Sequence, residues 1–249
     1  MTPAVSVVIP VRDGAAFLPG AIATVDAEDD GSLEIIVVDD GSTDATPALA
    51  ADLAAARPGR MRVIRIEPRG PAAARNAGIA AARGAAIALL DVDDLWPPGR
   101  LQALLAPLAA DHTLEAVVGR LEANFMPDSE GFWSRTEFRK GPVLFPHLGA
   151  ALLRPALFAR IGMFDETMRY GEDIDFYLRL LESGPRLRAI SDLVLLYRLH
   201  ARNMTLDRAA VSAATYSVTM RSIVRRRQAG GLRRMPKLAD FLAGAEGGR

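Results

Sequence analysis

The chain has 249 residues, half of them apolar and about a quarter charged, with a formal net charge of zero; this length suits one large domain or two small ones. It contains no cysteine, which excludes disulfides, thiolate metal sites and cysteine nucleophiles and fits a reducing compartment such as the cytoplasm. The N-terminus lacks the basic and apolar regions of a signal peptide, and no stretch reaches the roughly 18 apolar residues of a spanning helix, so any membrane contact is expected to be peripheral.

The first hundred residues alternate two kinds of segment. Apolar runs rich in β-branched residues predict strands, and segments of helical spacing between them predict helices. The predicted strands cover residues 5–10, 33–38, 61–66 and 85–90, and the predicted helices cover residues 15–25, 43–56 and 71–82. Ser42 is placed to cap the second helix. Continuous apolar strands that alternate with helices predict an α/β fold, a Rossmann-like and mainly parallel sheet covered by helices on both faces.

The pattern changes after residue 97. A helix is predicted over residues 97–108 and a strand over 116–121, and the aromatics, glycines and prolines of residues 122–146 are typical of loops and short β segments. The remaining predicted segments are a helix over 172–182, one or two strands over 187–197, a terminal helix over 207–227 and a frayed end from residue 243. This half is therefore expected to be a smaller mixed region beside the parallel sheet.

Three predicted strands end in polar clusters, at residues 10–14, 39–42 and 91–94. Ligands bind beyond the carboxyl ends of parallel strands, so these clusters are expected to meet in one cleft. Neither G-x-G-x-x-G after the first strand nor G-x-x-x-x-G-K-[ST] is present, which argues against a dinucleotide dehydrogenase or a P-loop NTPase. Simpler explanations are an Asp-Gly turn that caps a helix at 39–42 and a polar turn ahead of a helix at 91–94.

Asp91 and Asp93 indicate a divalent metal at this cleft. Carboxylates repel a diphosphate unless a hard cation lies between them, and Mg²⁺ and Mn²⁺ prefer oxygen ligands shared between carboxylates and substrate phosphates. Such a cation would neutralise a diphosphate leaving group as its bond breaks. The sequence therefore predicts Mn²⁺ or Mg²⁺ as the cofactor.

Several segments together resemble family 2 glycosyltransferases, which have the GT-A fold. They are VSVVIP at residues 5–10, EIIVVDDGSTD at 34–44, ARNAG at 74–78, LDVDD at 90–94, LR and IGMFDE between residues 153 and 166, and GEDIDFYLR at 171–179. The resemblance covers about residues 4–205. It implies a GT-A domain over residues 1–205, with a nucleotide-sugar-binding half (1–97) and an acceptor and catalytic-base half (98–205). Residues 206–249 would form a basic helix and a flexible tail.

The resemblance implies donor-binding roles for residues of the first half. Those expected to border the nucleobase and ribose are Pro10, Val11, Arg12 and Asp13. Asp40 resembles the carboxylate that pairs with the base, usually uracil, whereas Asp39 would be more structural. Arg75 stands where the family has a basic residue near the donor.

The DxD signature of the family corresponds to Asp91, Val92 and Asp93. Asp93 would be the direct metal ligand, and Asp91 would lie nearer the ribose or the sugar. His200 follows a predicted strand where some relatives place a histidine near the metal, and imidazole can ligate Mn²⁺. A histidine exposed on a loop is the alternative.

Asp173 resembles the catalytic base of the family's Glu-Asp pair. An inverting transfer needs a carboxylate that takes the proton from the attacking hydroxyl, opposite the leaving nucleotide. The alternative is that Glu172, Asp173 and Asp175 are acids favoured at a helix N-terminus by the helix dipole. The Q-x-x-R-W segment and the spanning helices of the processive synthases are missing, so the chain is expected to add one sugar and release it.

The acceptor side and the tail leave alternatives open. The aromatics from Phe125 to Phe145 could stack on sugar rings or form a small core beneath a loop, and His147 could line the acceptor pocket. Residues 221–237 hold seven basic and no acidic residues, against 23 basic and 30 acidic residues in the rest. This tail is either a solvated helix face or a peripheral helix attracted to anionic lipids; without interleaved aromatics, no nucleic-acid partner is expected.

The leading hypothesis is a non-processive inverting glycosyltransferase with a nucleotide-sugar donor and a saccharide, lipid-linked or other hydroxyl acceptor. A nucleotidyltransferase would be expected to carry a glycine-rich loop with Lys or Arg after the first strand, which residues 11–14 match poorly. A non-catalytic nucleotide-sugar-binding protein on the same fold is disfavoured by the joint presence of Asp91, Asp93 and Asp173.

Overall fold

A single sheet organises the molecule, and the computed structural model describes residues 3–129, 141–231 and 234–242. The strands are β1 Val5–Val11, β2 Leu33–Asp40, β3 Met61–Ile66, β4 Ala86–Leu89, β5 Ala116–Phe125, β6 Ala151–Leu153 and β7 Leu187–Leu199. Their order in the sheet is β3-β2-β1-β4-β6-β5-β7. β1 to β4 are parallel, β6 is antiparallel to both neighbours, and β5 and β7 are parallel. The predicted mainly parallel sheet is confirmed.

Helices cover both faces of this sheet. They are α1 Leu18–Ala27, α2 Thr46–Ala55, α3 Pro71–Ala81, α4 Arg100–Ala110, α5 Pro155–Ile161, α6 Glu172–Glu182 and α7 Arg208–Gln228. Alternate side chains of β1 enter different apolar cores: Val7 and Ile9 pack with α1 and α4, and Val8 packs with α3. α7 lies against α6. None of the helices within the described ranges has the length and apolarity needed to cross a bilayer.

The second half of the chain departs most from the sequence prediction. β6 and α5 were not predicted, because three and seven residues are too short for a periodic signal. β5 continues to Phe125, beyond its predicted end at residue 121, and a single strand covers the predicted one or two over 187–197. The predicted frayed end from residue 243 lies outside the described residues, as do Phe132, Trp133 and Phe138.

The structure contradicts the N-cap role predicted for Ser42. α2 begins at Thr46 with Ala45 at the N-cap position, and the Ser42 hydroxyl accepts a hydrogen bond from the N–H of Asp13 at 2.9 Å. Asp44 bonds to the first turn instead, since its Oδ1 accepts from the N–H of Thr46 at 2.8 Å. The Ser42 hydroxyl therefore bonds to the loop after β1 and not to α2, because the backbone amides of that loop also need hydrogen-bond partners.

Candidate active site

Asp13 joins the loop after β1 to the loop after β2. Its Oδ1 accepts a hydrogen bond from the backbone N–H of Thr43 at 2.7 Å, and this bond is the main reason that the pKa of Asp13 is lowered. Asp13 has a φ of 49°, in the left-handed region that Asn and Asp occupy more readily than most residues. Arg12 is exposed beside it, whereas Pro10 and Val11 are buried in β1. Asp13 therefore fixes the loop after β1 against the loop after β2.

The two aspartates at the end of β2 have different surroundings. Asp40 accepts hydrogen bonds from the N–H groups of Arg69 at 2.7 Å and Gly70 at 2.9 Å, in the turn before α3. Asp39 Oδ1 accepts from the N–H of Ser42 at 2.9 Å. A carboxylate oxygen can accept more than one hydrogen bond. Asp39 thus supports its own loop, and Asp40 holds the start of α3 with one hydrogen bond to each of its carboxylate oxygens.

Arg75, from α3, connects the loop after β4 with the start of α6. Its guanidinium lies 2.7 Å from Asp91 Oδ1 and 2.6 Å from Glu172 Oε1. Burial raises the pKa of Glu172 against the opposing charge of Arg75. Burial also acts to raise the pKa of Asp91, but the charge of Arg75 outweighs it, so that the pKa of this carboxyl is lowered overall. One buried cation thus joins the two loops that carry the predicted DxD motif and the predicted base.

Asp93 and Asp94 are adjacent but face different partners. Asp93 Oδ2 lies 3.0 Å from His200 Nε2 and 3.4 Å from Asn203 Nδ2. Asp94 is fully buried; its Oδ1 accepts from the N–H of Arg198 at 3.0 Å, and its Oδ2 has no hydrogen-bond partner among the described residues. Burial, together with the charges of the two neighbouring aspartates, raises the pKa of Asp94 well above its ordinary value.

The possible metal ligands beyond the end of β4 suit a divalent cation. One ligand atom each from Asp91, Asp94 and His147 lies within 4.8 Å of the others. Mg²⁺ and Mn²⁺ prefer carboxylate oxygens, and the unpartnered Oδ2 of Asp94 is such an oxygen. His147 Nε2 lies 3.9 Å from that atom. This group contains the predicted Asp91 but not the predicted Asp93, whose carboxylate contacts His200 and Asn203 instead.

Hydrogen bonds assign the tautomers of the two histidines near these carboxylates. Nδ1 of His147 accepts from the N–H of Gly149 at 3.1 Å, and Nδ1 of His200 accepts from the N–H of Arg202 at 3.1 Å. A ring nitrogen that accepts a hydrogen bond carries no proton, so Nε2 carries it in the neutral ring. In this arrangement His200 donates Nε2–H to Asp93. Ligation of a metal through Nε2 of either histidine would require that nitrogen to be free of its proton.

Asp173 lies in the first turn of α6, beside Glu172. Burial acts to lower the pKa of Arg75, but the charges of Asp91, Glu172 and, less strongly, Asp173 raise it. The charge of Asp173 also opposes the lowering of the His147 pKa that burial causes, so Asp173 lies near both groups. The next acid of this turn, Asp175, is buried and pairs with Arg179 at 2.7 Å and Arg225 at 2.8 Å. Asp173 has no ion pair among the described residues. It is therefore the acid of this turn that remains available to a substrate.

No site role was predicted for Tyr177, Asp94 or Glu172, and the role considered for His147 was in the acceptor pocket. Tyr177 donates its hydroxyl hydrogen to the His147 carbonyl at 2.8 Å, which joins α6 to the turn before β6. Asp94 follows Asp93 and Glu172 precedes Asp173 in the sequence. Their positions beside predicted site residues were the signal that could have identified them. His147 and Tyr177 meet only through tertiary structure. Phe125 and Phe145 are exposed by 36% and 44%, and their stacking role stays a prediction.

A parallel sheet whose strand ends bring DxD carboxylates together with a Glu-Asp pair defines a glycosyltransferase of the GT-A fold. The chain belongs to the family described as Glycosyl transferase family 2, whose profile matches residues 6–170. The succinoglycan biosynthesis protein ExoU of Rhizobium meliloti (strain 1021) is 36% identical over 210 residues, which are 75% of this chain and 59% of ExoU. The chain thus spans about three-fifths of that relative's length.

Solved structures support the same fold at lower identity. S. aureus TarS 1–349 in complex with UDP-GlcNAc has a TM-score of 0.72 and 20% identity, covering 95% of this chain and 69% of TarS 1–349. The mannosyltransferase PcManGT from Pyrobaculum calidifontis, in complex with GDP-Man and Mn²⁺, has a TM-score of 0.67 and 22% identity, covering 95% of this chain and 66% of PcManGT. At these levels of sequence identity, the two structural similarities show the fold alone.

Proposed function

We propose that this chain is a metal-dependent, inverting and non-processive glycosyltransferase that moves one sugar from a UDP-sugar to an acceptor hydroxyl. The observation that carries the proposal is a group of charged side chains at the end of the sheet, where Arg75 joins Asp91 to Glu172 and Asp173 has no ion pair among the described residues. The acceptor is a saccharide, a lipid-linked compound or another alcohol. The name of ExoU supports a place in polysaccharide biosynthesis.

The donor would lie across the ends of β1, β2 and β4. Asp40 keeps lone pairs for the nucleobase, while Asp13 fixes the loop that borders it. Two neighbours of the same fold were solved with nucleotide-sugars, one with UDP-GlcNAc and one with GDP-Man. These neighbours support the donor class, and the choice of UDP follows from the resemblance of Asp40 to the uracil-pairing carboxylate.

A Mn²⁺ or Mg²⁺ ion would be held by Asp93 and Asp91, with the free oxygen of Asp94 beside them. When bound, it would neutralise charge on the diphosphate. Metal-bound carboxylates are commonly oriented by a hydrogen bond from a second group, and the 3.0 Å contact of His200 with Asp93 supports that role for His200. The Mn²⁺ in PcManGT supports the choice of ion.

Asp173 would accept the proton of the acceptor hydroxyl. The acceptor oxygen bonds to the anomeric carbon while the bond from that carbon to the diphosphate oxygen breaks, so the nucleoside diphosphate leaves with the bonding electrons. Attack from the side opposite the leaving group inverts the configuration. Holding both substrates in line supplies much of the rate without a covalent enzyme intermediate.

A donor panel tests the proposal. UDP-, GDP- and dTDP-sugars are each mixed with the chain, with and without Mn²⁺, and thermal unfolding and slow donor hydrolysis are recorded. We expect a response to UDP-sugars that requires the metal. Asp173→Asn should retain donor-dependent stabilisation but lose turnover by about 10²–10⁴-fold, the usual contribution of a general base. Asp52→Asn, at an exposed position of α2, is the matched control.

Three outcomes would contradict the proposal. Thermal stabilisation by NAD(P)H and by none of the nucleotide-sugars would show that the donor is not a nucleotide-sugar. Donor binding without turnover, in the wild type and in Asp173→Asn alike, would indicate a binding protein on this fold. Release of pyrophosphate from a nucleoside triphosphate and a sugar phosphate would indicate a nucleotidyltransferase.

A further inference from the structure

The outward side of α7 is apolar although it faces solvent. Tyr216, Met220 and Val224 are exposed by 71%, 42% and 47%. Residues four apart lie on the same side of a helix, so these side chains form one row, called here the α7 stripe. Exposed apolar side chains are ordinary when scattered, but a row of them rimmed by polar residues marks an interaction surface.

The inward side of α7 is attached to the half of the molecule that carries the proposed base. Val218 is buried on that side, and Arg225 lies 2.8 Å from Asp175 of α6. Gly171 lies so close to α7 that an added Cβ would be 3.3 Å from Ala214 Cβ. α6 begins directly after Gly171, so whatever contacts the α7 stripe is joined through packed residues to the first turn of α6.

The charged side chains of α7 itself have one sign. α7 contains five arginines and no acidic residue, in a chain whose other segments carry the excess of acids. Arg221 and Arg225 pair with Asp165 and Asp175 on the body. Arg227 follows Tyr216 by about three helical turns on the same side; it is exposed and has no ion pair among the described residues. The apolar row therefore ends in an uncompensated cation.

We propose that the α7 stripe lies on an anionic lipid surface, with Arg227 at the level of the lipid phosphates. Interfacial helices bury an apolar side at the headgroup boundary and attract anionic lipids with basic residues, and tyrosine is enriched at that depth. The stripe exposes roughly 300 Å², well below the ~800 Å² per partner of a standard protein interface, so two copies paired through the stripe alone would not form a stable dimer. The proposal concerns binding and does not depend on the transfer reaction.

Vesicle flotation tests the proposal. The 249-residue chain is floated with vesicles of phosphatidylcholine, with or without phosphatidylglycerol, at low and high salt. We expect flotation only with phosphatidylglycerol and release by salt. The triple variant Tyr216→Ser, Met220→Ser, Val224→Ser should lower the bound fraction about tenfold or more. Arg227→Gln should lower it about fivefold, the equivalent of one basic residue near an anionic surface.

Thr215→Ser is the matched control, since Thr215 is exposed on α7 outside the stripe, and circular dichroism verifies that every variant folds. Equal flotation of the triple variant and the wild type would overturn the proposal, as would a wild type that floats with neither vesicle. A wild-type dimer in sedimentation equilibrium that the triple variant loses would overturn it in favour of a second copy. Donor hydrolysis in solution, measured on the same samples, separates these outcomes from a failure of the proposed reaction.

Discussion

At the scale of single residues, the site depends on a buried cation that serves two acids. Arg75 contacts Asp91 through Nη2 and Glu172 through Nη1, both at hydrogen-bond distance. Removing one member of a buried ion pair leaves an uncompensated charge, which typically costs about 3–5 kcal/mol. Lysine cannot substitute fully, because a single ammonium lacks the planar fork that lets a guanidinium bind two carboxylates at once.

Arg75→Gln should therefore lower both stability and catalysis. We expect a fall in the midpoint of thermal unfolding and a loss of about 10²-fold in kcat/KM, because misplacement of catalytic groups by about 1 Å has that effect. Arg75→Lys should recover part of the stability and little of the rate. Arg160→Gln, which breaks an ion pair with Glu115 at the surface, should leave kcat/KM unchanged. An Arg75→Gln enzyme with normal kinetics would refute the link between the two loops.

His200 supplies a second test at this scale. If it orients Asp93 through its Nε2–H, His200→Ala should weaken the apparent affinity for Mn²⁺ about 10–100-fold, the usual effect of losing such a partner. Most of kcat should return at saturating Mn²⁺. A titration of activity with Mn²⁺ measures both quantities, with His112→Ala at an exposed turn as the control. A kcat that stays low at saturating metal would instead favour His200 as a direct ligand.

At the scale of elements, ion pairs join α1 to the turn after α2. Asp26 of α1 lies 2.5 Å from Arg57 Nη2 and 2.7 Å from Arg60 Nη2, in the turn after α2. Burial acts to raise the pKa of Asp26, but the two arginines lower it overall. A folded-state pKa below the unfolded one means that the pairs stabilise the fold above the unfolded pKa. That contribution is lost as pH falls through the folded pKa.

Asp26→Asn should accordingly destabilise the protein in a pH-dependent way. At neutral pH we expect a loss of about 1 kcal/mol in the free energy of unfolding, the upper range for partly exposed pairs. The difference from the wild type should shrink below about pH 4 and vanish at lower pH, because Asp26 is then protonated in both states. Urea unfolding at several pH values measures this, with Asp52→Asn as the control. A difference that is constant across pH would show that packing, not charge, is responsible.

At the scale of the whole molecule, the elements predicted best were those with long regular patterns. β1 to β4 and the helices between them follow from buried runs and helical spacing, and the DxD and Glu-Asp motifs indicated which strand end and which helix would carry the chemistry. β6 and α5 were missed because they are short.

The contacts that assemble the site leave no local signal. The bridge from Arg75 to Glu172, the bond of Ser42 with Asp13 and the meeting of His147 with Asp94 all join residues far apart in the chain. Each depends on how the strands and helices pack in three dimensions, and spacing along the sequence does not encode the distance between two such segments. Ser42 shows the effect directly, since a serine suited to cap its own helix is used by a different loop.

Because the loops after β1, β2 and β4 meet at one edge of the sheet, we predict that metal binding and donor binding are coupled. Because the metal would lie between carboxylates and the diphosphate, donor should stabilise the chain only when Mn²⁺ or Mg²⁺ is present. At a donor concentration about 100 times Kd, linkage adds about 2.7 kcal/mol to the free energy of unfolding. EDTA should abolish that gain, and added Mn²⁺ should restore it. Asp93→Asn should lose the metal-dependent part, while Asp52→Asn keeps it. Donor stabilisation that is equal with and without metal would mean that the acids after β4 do not meet the diphosphate, and that cations of the chain itself, such as Arg75, neutralise it.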